Sequence, residues 1–295
     1  MSNALQILIN GLAMGSVYAL IALGFTLVHK ASGAVNFAHG SILLLGGYLV
    51  AVLHEPLGFA GALVVAAAGS ALAAVLEALV LRRVRGAGHA APTILTIGVD
   101  VLLLTELSRR IGTEVMGIGD PWGSKVVHLG DITVAATRIA SLVCAVVLVG
   151  LFLAAFRWTN WGLAMRAGSV DPEAAALMGV RAGRVNLIAW ATAGVLAAVA
   201  AVFLAAFPTP GLEHTTGQIA LAAFPAAVLG GLGSVGGALL GSLLVGLTEA
   251  AAAGYQQQLH VLGDGLAEVA PYIVMILVVI ARPQGLLGAK EPNRV

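Results

Sequence analysis

Apolar residues in this chain run in long unbroken blocks instead of alternating with polar ones. Windows of about 20 residues, long enough to cross a bilayer as helices, cover Ala4 to Val28, Asn36 to Leu53, Phe59 to Leu81, Thr93 to Leu107, Ile139 to Phe156, Val185 to Phe207 and Leu266 to Ala281. Without a period of two there is no barrel signature, so the spans are helical. Between the last two windows, Ile219 to Ala250 is too long for one span and is broken by "LGGLGSVGG". Two short helices meeting at a glycine break fit it, as a re-entrant pair or a broken span. A second interruption, "GAVNFAHGSILLLGG" from Gly33 to Gly47, sets Asn-Phe-Ala-His at the mouth of an oily run.

The blocks predict an all-α fold: a single polytopic helix bundle over residues 1–295 with about eight spans, within roughly seven to nine, some broken or re-entrant. Composition agrees: 295 residues, 59% hydrophobic and 10% charged with mean hydropathy +0.99, describe an integral membrane protein. A net charge of +1 and the lack of a basic run argue against nucleic acid as a partner. The single cysteine, Cys144, excludes an internal disulfide. Residues 1–28 hold no Lys or Arg, and their apolar stretch is longer than a signal-peptide core, so it reads as a retained first span.

Charge placement orients the bundle. With Lys30, the Arg82/Arg83/Arg85 cluster, the loop from Arg157 to Arg184, and Arg282, Lys290 and Arg294 inside, eleven of fifteen basic residues are cytoplasmic. That arrangement places the N-terminus outside and the C-terminus in the cytoplasm. Arg109, Arg110, Lys125 and Arg138 are exceptions, in a segment that also carries Glu114, Asp120 and Asp131.

The loop over residues 157–185 holds "RAGSVDPEAAALMGV". Asp171 suits an N-cap, Pro172 the first helical position, Glu173 the positive dipole end and Gly179 a C-terminal stop. A helix of about two turns follows, with Ala174, Leu177 and Met178 on one face. By these residues alone it is either a connecting helix on the bilayer or a peg for a groove on another protein.

Four carboxylates lie nearest the membrane interior, where ionisable groups are costly. Glu77 stands about a turn from the Arg82 cluster and Glu106 just before Arg109 and Arg110, which suggests interfacial ion pairs. Asp100 is the leading buried candidate and Glu249 the next. Gly233, Gly237 and Gly241 form a tandem G-x-x-x-G, and Gly11 with Gly15 another, suited to close helix packing within the chain or against a partner. No His or Cys stands at ligand spacing from His39, so no metal site is expected. A G-x-x-x-x-G-K-[ST] phosphate loop is missing, as is a paired nucleophile and base.

"GLAMGSVYALIALGFTLVHKASGAVNFAHGSILLLGGY", "RAGSVDPEAAALMGV", "AVLGGLGSVGGALLGSLLVGLTE" and "RPQGLLG", in this order, resemble the permease subunits of bacterial branched-chain amino acid ABC importers, of the LivH type. The resemblance covers almost the whole chain. It implies an inner-membrane subunit forming half of a translocation pathway beside a LivM-like second permease. Two cytoplasmic ATPases that use ATP and Mg, and a periplasmic substrate-binding protein, would complete the system, with no cofactor bound by this chain. It further implies a coupling helix docked on an ATPase, involving Arg166, Asp171, Pro172, Glu173, Ala174, Ala175, Leu177, Met178 and Gly179. Asn36, Phe37, His39, Gly40, Asp100, Gly230, Gly231 and Gly233 are the candidates for the pathway. Asn36 and His39 either contact substrate or clasp backbone freed at a helix break; the clasp is favoured and the choice stays open. The competing functions are a urea or short-amide permease of the same family, or a stand-alone ion-coupled carrier. Known urea-type permeases usually carry an added N-terminal domain, whereas this sequence starts at its first span, which favours amino acids.

Overall fold

The computed structural model describes residues 2–84, 90–129, 132–206, 210–258 and 265–288. Arg85, Asp131, Lys290 and Arg294 lie outside them. The helices are α1 (Ser2–Ser32), α2 (His39–Val84), α3 (Ala91–Ile111), α4 (Ala136–Trp158), α5 (Asn160–Val170), α6 (Pro172–Leu177), α7 (Ala182–Ala206), α8 (Thr216–Leu221), α9 (Phe224–Gly230), α10 (Val235–Gly254) and α11 (Leu266–Ala281). Six of these, α1 to α4, α7 and α10, are long and apolar enough to cross a membrane. The chain is therefore a multi-pass, all-α membrane bundle.

Helix α2 is a hairpin. Its 46 residues are interrupted at Gly58 (φ 68°, ψ 163°), two residues after Pro56, a backbone conformation open to glycine and closed to side chains with a Cβ. The second half folds back along the first, so that Ser70 Oγ donates to the Ile42 carbonyl at 3.3 Å. These halves correspond to the two apolar windows separated by "HEPLG" in the sequence.

Helix α7 forms the centre, packed against α1 and both halves of α2. It is buried over most of its surface, with Ile188 left outward, and carries few polar residues, which suits a helix at the core of a bundle. Ala189, Ala193, Ala197, Ala198, Ala200 and Ala201 are buried along it, with Trp190. Small residues matter here because lipid tails remove the hydrophobic drive for helix association and leave close packing to supply it. Helices α3, α4 and α11 are peripheral and present Leu102, Val146, Leu151 and Ile280 outward.

Glycine also governs the α1–α10 crossing. A methyl group on Gly11 would stand 2.8 Å from Leu247 Cα, and one on Gly15 would stand 3.0 Å from the Ser242 carbonyl oxygen. Gly246 meets the Gly15 backbone from the other side. Gly237 packs on Gly230 and Gly241 on the Ala226 carbonyl, closing α10 onto α9. Gly233, grouped with these by its spacing, has no packing role: it lies in the turn before α10 with open space where a Cβ would be.

One end of the bundle gathers the ends of α1 and α2, the starts of α3 and α7, α5, α6 and the turn from Gly231 to Ser234. Lys30 at the end of α1 donates to the Gly233 carbonyl there, and Arg82 stands against Gly183. At the opposite end, Ile7 meets Gly254 and His54 meets Gly119. That end also holds an antiparallel hairpin, β1 (Val126–Leu129) with β2 (Ile132–Ala135), in register Val127↔Val134. These four-residue strands carry no long apolar block, so the hydrophobic pattern did not mark them. The basic exceptions reside here: Arg109 and Arg110 are bonded to Glu106, and Arg138 to Asn10.

Candidate functional site

The segment between α1 and α2 leaves helical geometry for residues 33–38 and, from Ala34 on, is buried or half-buried in the protein. Backbone groups freed in such a place need new partners. Asn36 supplies one: its Oδ1 accepts from the Ala38 amide at 2.8 Å, while its Nδ2 ties the segment to α2 by donating to Glu77 Oε2 at 3.1 Å. Thr96 of α3 adds a second by accepting from the Phe37 amide at 3.3 Å. Its hydroxyl hydrogen is directed to the Thr93 and Val35 carbonyls, at 2.9 and 3.3 Å. Asp100, one turn farther along α3, faces the hydroxyl and backbone amide of Ser41 in the first turn of α2. There the amides lack helical partners and the dipole favours negative charge.

Glu77 corrects the expectation of an interfacial ion pair with the Arg82 cluster. It is buried at 3% exposure and turns inward to Asn36, while its Oε1 has no protein partner. Arg82 points instead toward the start of α7. The i, i+5 spacing from Glu77 to Arg82 separates them by about 140° around a helix, so closeness in sequence did not place them on one face. Glu106 does pair with Arg109 and Arg110 (2.9 and 2.6 Å). Glu249 accepts from the Tyr18 hydroxyl at 2.6 Å across the α1–α10 crossing.

His39 is buried against Phe25, with ring centroids 4.7 Å apart. One ring nitrogen faces the Ile21 carbonyl and Nε2 has no protein partner. Gly24 provides the room, since a Cβ there would stand 2.6 Å from the ring. The first interruption then meets the α8–α9 segment: a Cβ on Gly40 would stand 2.6 Å from the Gly217 carbonyl oxygen of α8, and Phe224 of α9 touches both Phe25 and Phe37. Gly230 and Gly231 lie farther along. Gly231 (φ 98°) ends α9 against the tail, where the Leu286 and Leu287 amides donate to the Leu229 and Gly230 carbonyls at 2.8 and 3.1 Å. The tail "RPQGLLG" thus caps a helix, a role its linear pattern did not reveal.

Asn186 also escaped the sequence. It sits near the start of α7, 1% exposed, with neither side-chain polar atom bonded to protein. Register puts it level with Glu77, because Gly194 packs at Ser70 and Gly183 at Arg82 on the antiparallel second half of α2. A lone polar residue in an apolar run is the available signal, and "NLIAWATAG" contains it. Among the described residues, no three His, Cys, Asp or Glu side chains assemble into a metal-binding group.

The second region is the loop carrying α5 and α6. Asp171 caps α6, accepting from the Glu173 and Ala174 amides at 3.0 Å each. Pro172 occupies the first helical position and Gly179 (φ 85°) follows the C-cap. Ala174, Leu177 and Met178 face outward, the last two 89% and 85% exposed. Two residues grouped with them do otherwise. Ala175 is buried on the side facing the bundle. Arg166 folds back on α4, donating to the Phe156 carbonyl with its guanidinium 5.2 Å over the Phe156 ring.

A family model described as "Branched-chain amino acid transport system / permease component" matches residues 7–280. This chain belongs to that permease family. Among its relatives, the high-affinity branched-chain amino acid transport system permease protein LivH of Escherichia coli K12 is 30% identical over 317 residues, covering 99% of this chain and 97% of the relative. BraD of Pseudomonas aeruginosa, also described as such a permease protein, is 33% identical over 313 residues, covering 99% and 98%. A probable LivH of Methanocaldococcus jannaschii is 27% identical over 294 residues, covering 96% and 92%. The solved structure titled "PsaBC from Streptococcus pneumoniae in complex with Fab" matches the fold at TM-score 0.52 and 12% identity, covering 96% of this permease and 93% of that chain. The permease is accordingly a transport-system membrane component.

Proposed function

We propose that this permease forms half of the pathway of an ABC importer for branched-chain or related amino acids in a bacterial inner membrane. A second, LivM-like permease supplies the other half, a periplasmic binding protein delivers substrate, and two cytoplasmic ATPases hydrolyse ATP with Mg. Nine crossings are proposed, counting both halves of α2, the broken α8–α9 segment and α11, with the N-terminus outside and the C-terminus inside. Basic residues support this: eight described ones lie at the α6 end and four at the hairpin end. An odd number of crossings places the termini on opposite sides.

Helix α6 is the coupling element in this reading. The observation that carries it is the pair Leu177 and Met178, held almost fully exposed on a capped helix while Ala175 anchors its other side. Large apolar side chains presented so openly on a short rigid helix suit a groove on a partner. Braced by Arg166 against α4, the loop transmits ATPase closure to α4 and α7 as a lever, not as a slack connection. The meeting of the Asn36 segment with α8–α9 is the proposed inner part of the pathway, where Asn36, Phe37, His39, Gly40 and Asp100 converge from three elements. Asn36 acts there as a clasp for the break.

Reconstituted complex tests the assignment. Leucine uptake is expected to survive an uncoupler and to stop on ATP depletion. Leu177→Glu is expected to abolish ATPase copurification and uptake while leaving the melting temperature of the permease unchanged. Full uptake by Leu177→Glu would remove α6 from the coupling role, and uptake without ATP would refute the importer assignment.

A further inference from the structure

Beneath α6 lies a cleft of about 580 Å³ that the coupling reading leaves unused. We propose that it is a binding site for a small organic carboxylate with an aliphatic tail, held by Lys30. Its volume is in the range of small-molecule sites. The end of α1 contributes Lys30 and Ser32, α5 contributes Met165 and Ser169, and Ala175 of α6 and Val185 of α7 close the other walls. Gly233, from the turn after α9, also borders it.

Charge selects an anion. Among the described residues, no Asp or Glu lines the cleft. The acids on α6 are directed elsewhere: the Asp171 carboxylate is taken by two amides, and Glu173 is exposed. On the adjoining elements the charged groups are cationic, with Arg82 against Gly183 and Arg181 and Arg184 lining the neighbouring groove. His29 adds an imidazole to the wall.

Lys30 Nζ makes one long bond, 3.3 Å to the Gly233 carbonyl, and an ammonium has three donors. A charge-assisted bond to carboxylate is about twice as strong as one between neutral groups, and it outcompetes a stretched bond to a carbonyl. The occupant therefore draws Lys30 from Gly233 and is sensed at the broken span and beneath α6 together. Met165 and Val185 offer an apolar wall to the tail, while no carboxylate stands ready for an ammonium. A deaminated analogue such as ketoisocaproate fits this lining better than leucine does. The effect on transport rests on α6 as the coupling element; binding does not.

The test is titration of the complete transporter in phosphatidylcholine nanodiscs with ketoisocaproate, followed by calorimetry and, separately, by ATPase rate. Saturable binding is expected, weakened about tenfold or more by Lys30→Met and largely kept by Lys30→Arg, with leucine competing more weakly than isocaproate. Binding should persist in the permease pair carrying Leu177→Glu, purified without its ATPases, which keeps failure of the coupling reading distinguishable from failure of this one. Equal binding by correctly melting Lys30→Met, or no saturable binding at millimolar ligand, overturns the proposal. Binding abolished by adding phosphatidylglycerol would assign the same anion site to a lipid headgroup and overturn the free carboxylate as its occupant.

Discussion

Reversing the Asn36–Glu77 hydrogen bond separates a specific clasp from general polarity. In Asn36→Asp the acceptor toward Ala38 is retained, but the donor to Glu77 becomes a second carboxylate oxygen at about the original 3.1 Å. Two full charges at that spacing repel by about 5 kcal/mol at an effective dielectric near 20, an upper bound because uptake of a proton relieves it. Without that proton the buried Glu77 also loses its donor, at a cost of about 1–3 kcal/mol; with it, a carboxyl O–H takes the place of the amide donor and the loss is smaller. Glu77→Gln alone sets an amide against an amide, which can re-pair by rotation, and is expected to cost about 1 kcal/mol or less. The double variant Asn36→Asp/Glu77→Gln exchanges donor and acceptor and should regain most of the loss. Reversible unfolding in mixed micelles, run as a double-mutant cycle, measures this directly. Expected is a coupling energy of at least about 1 kcal/mol in favour of the double variant, with leucine uptake following the same order. A double variant no more stable than Asn36→Asp would refute the clasp.

Four further outcomes follow from the packing. Gly246→Leu should lower the melting temperature sharply, because its Cβ would enter the Gly15 backbone, whereas Gly233→Ala should leave it unchanged; thermal unfolding in detergent compares them. Ala175→Trp should fill the cleft that Ala175 lines and remove ketoisocaproate binding, seen by calorimetry, in contrast to Leu177→Glu. Asp100→Asn should slow uptake more than Glu106→Gln, since Asp100 faces the first turn of α2 and Glu106 is bonded to exposed arginines at the far end; initial uptake rates decide. Gly285→Val should cost about 2 kcal/mol or more, because Gly285 has φ 80° and lies against Gly231, and the tail should then cease to protect α9 from hydrogen exchange.

The permease shows where sequence reasoning reaches and where it stops. Bilayer thickness and the cost of unpaired backbone in lipid act on each segment separately, so apolar block length marked α1, both halves of α2, α3, α4 and α7, while α10, read from its glycines as one of two short helices, is a 20-residue helix long enough to cross. Capping is equally local, which is why Asp171, Pro172 and Gly179 took their expected places around α6. The family motifs, being collinear, were readable too. What a side chain faces is another matter. Glu77 turned to Asn36 from 41 positions away, Gly246 and not Gly233 met the α1 glycines, and the final "GLLG" capped a helix more than fifty residues earlier. Ala175 and Leu177, two residues apart, lie on opposite sides of one short helix. Such outcomes depend on rotation and register between helices, which small-residue packing decides only when both partners are in place. The sequence by itself determined a membrane permease and its interruptions; tertiary structure decided that the first interruption meets the α8–α9 segment, because only close approach of α1, α2, α3 and α9 brings Asn36, Thr96, Glu77 and Phe224 to one locus.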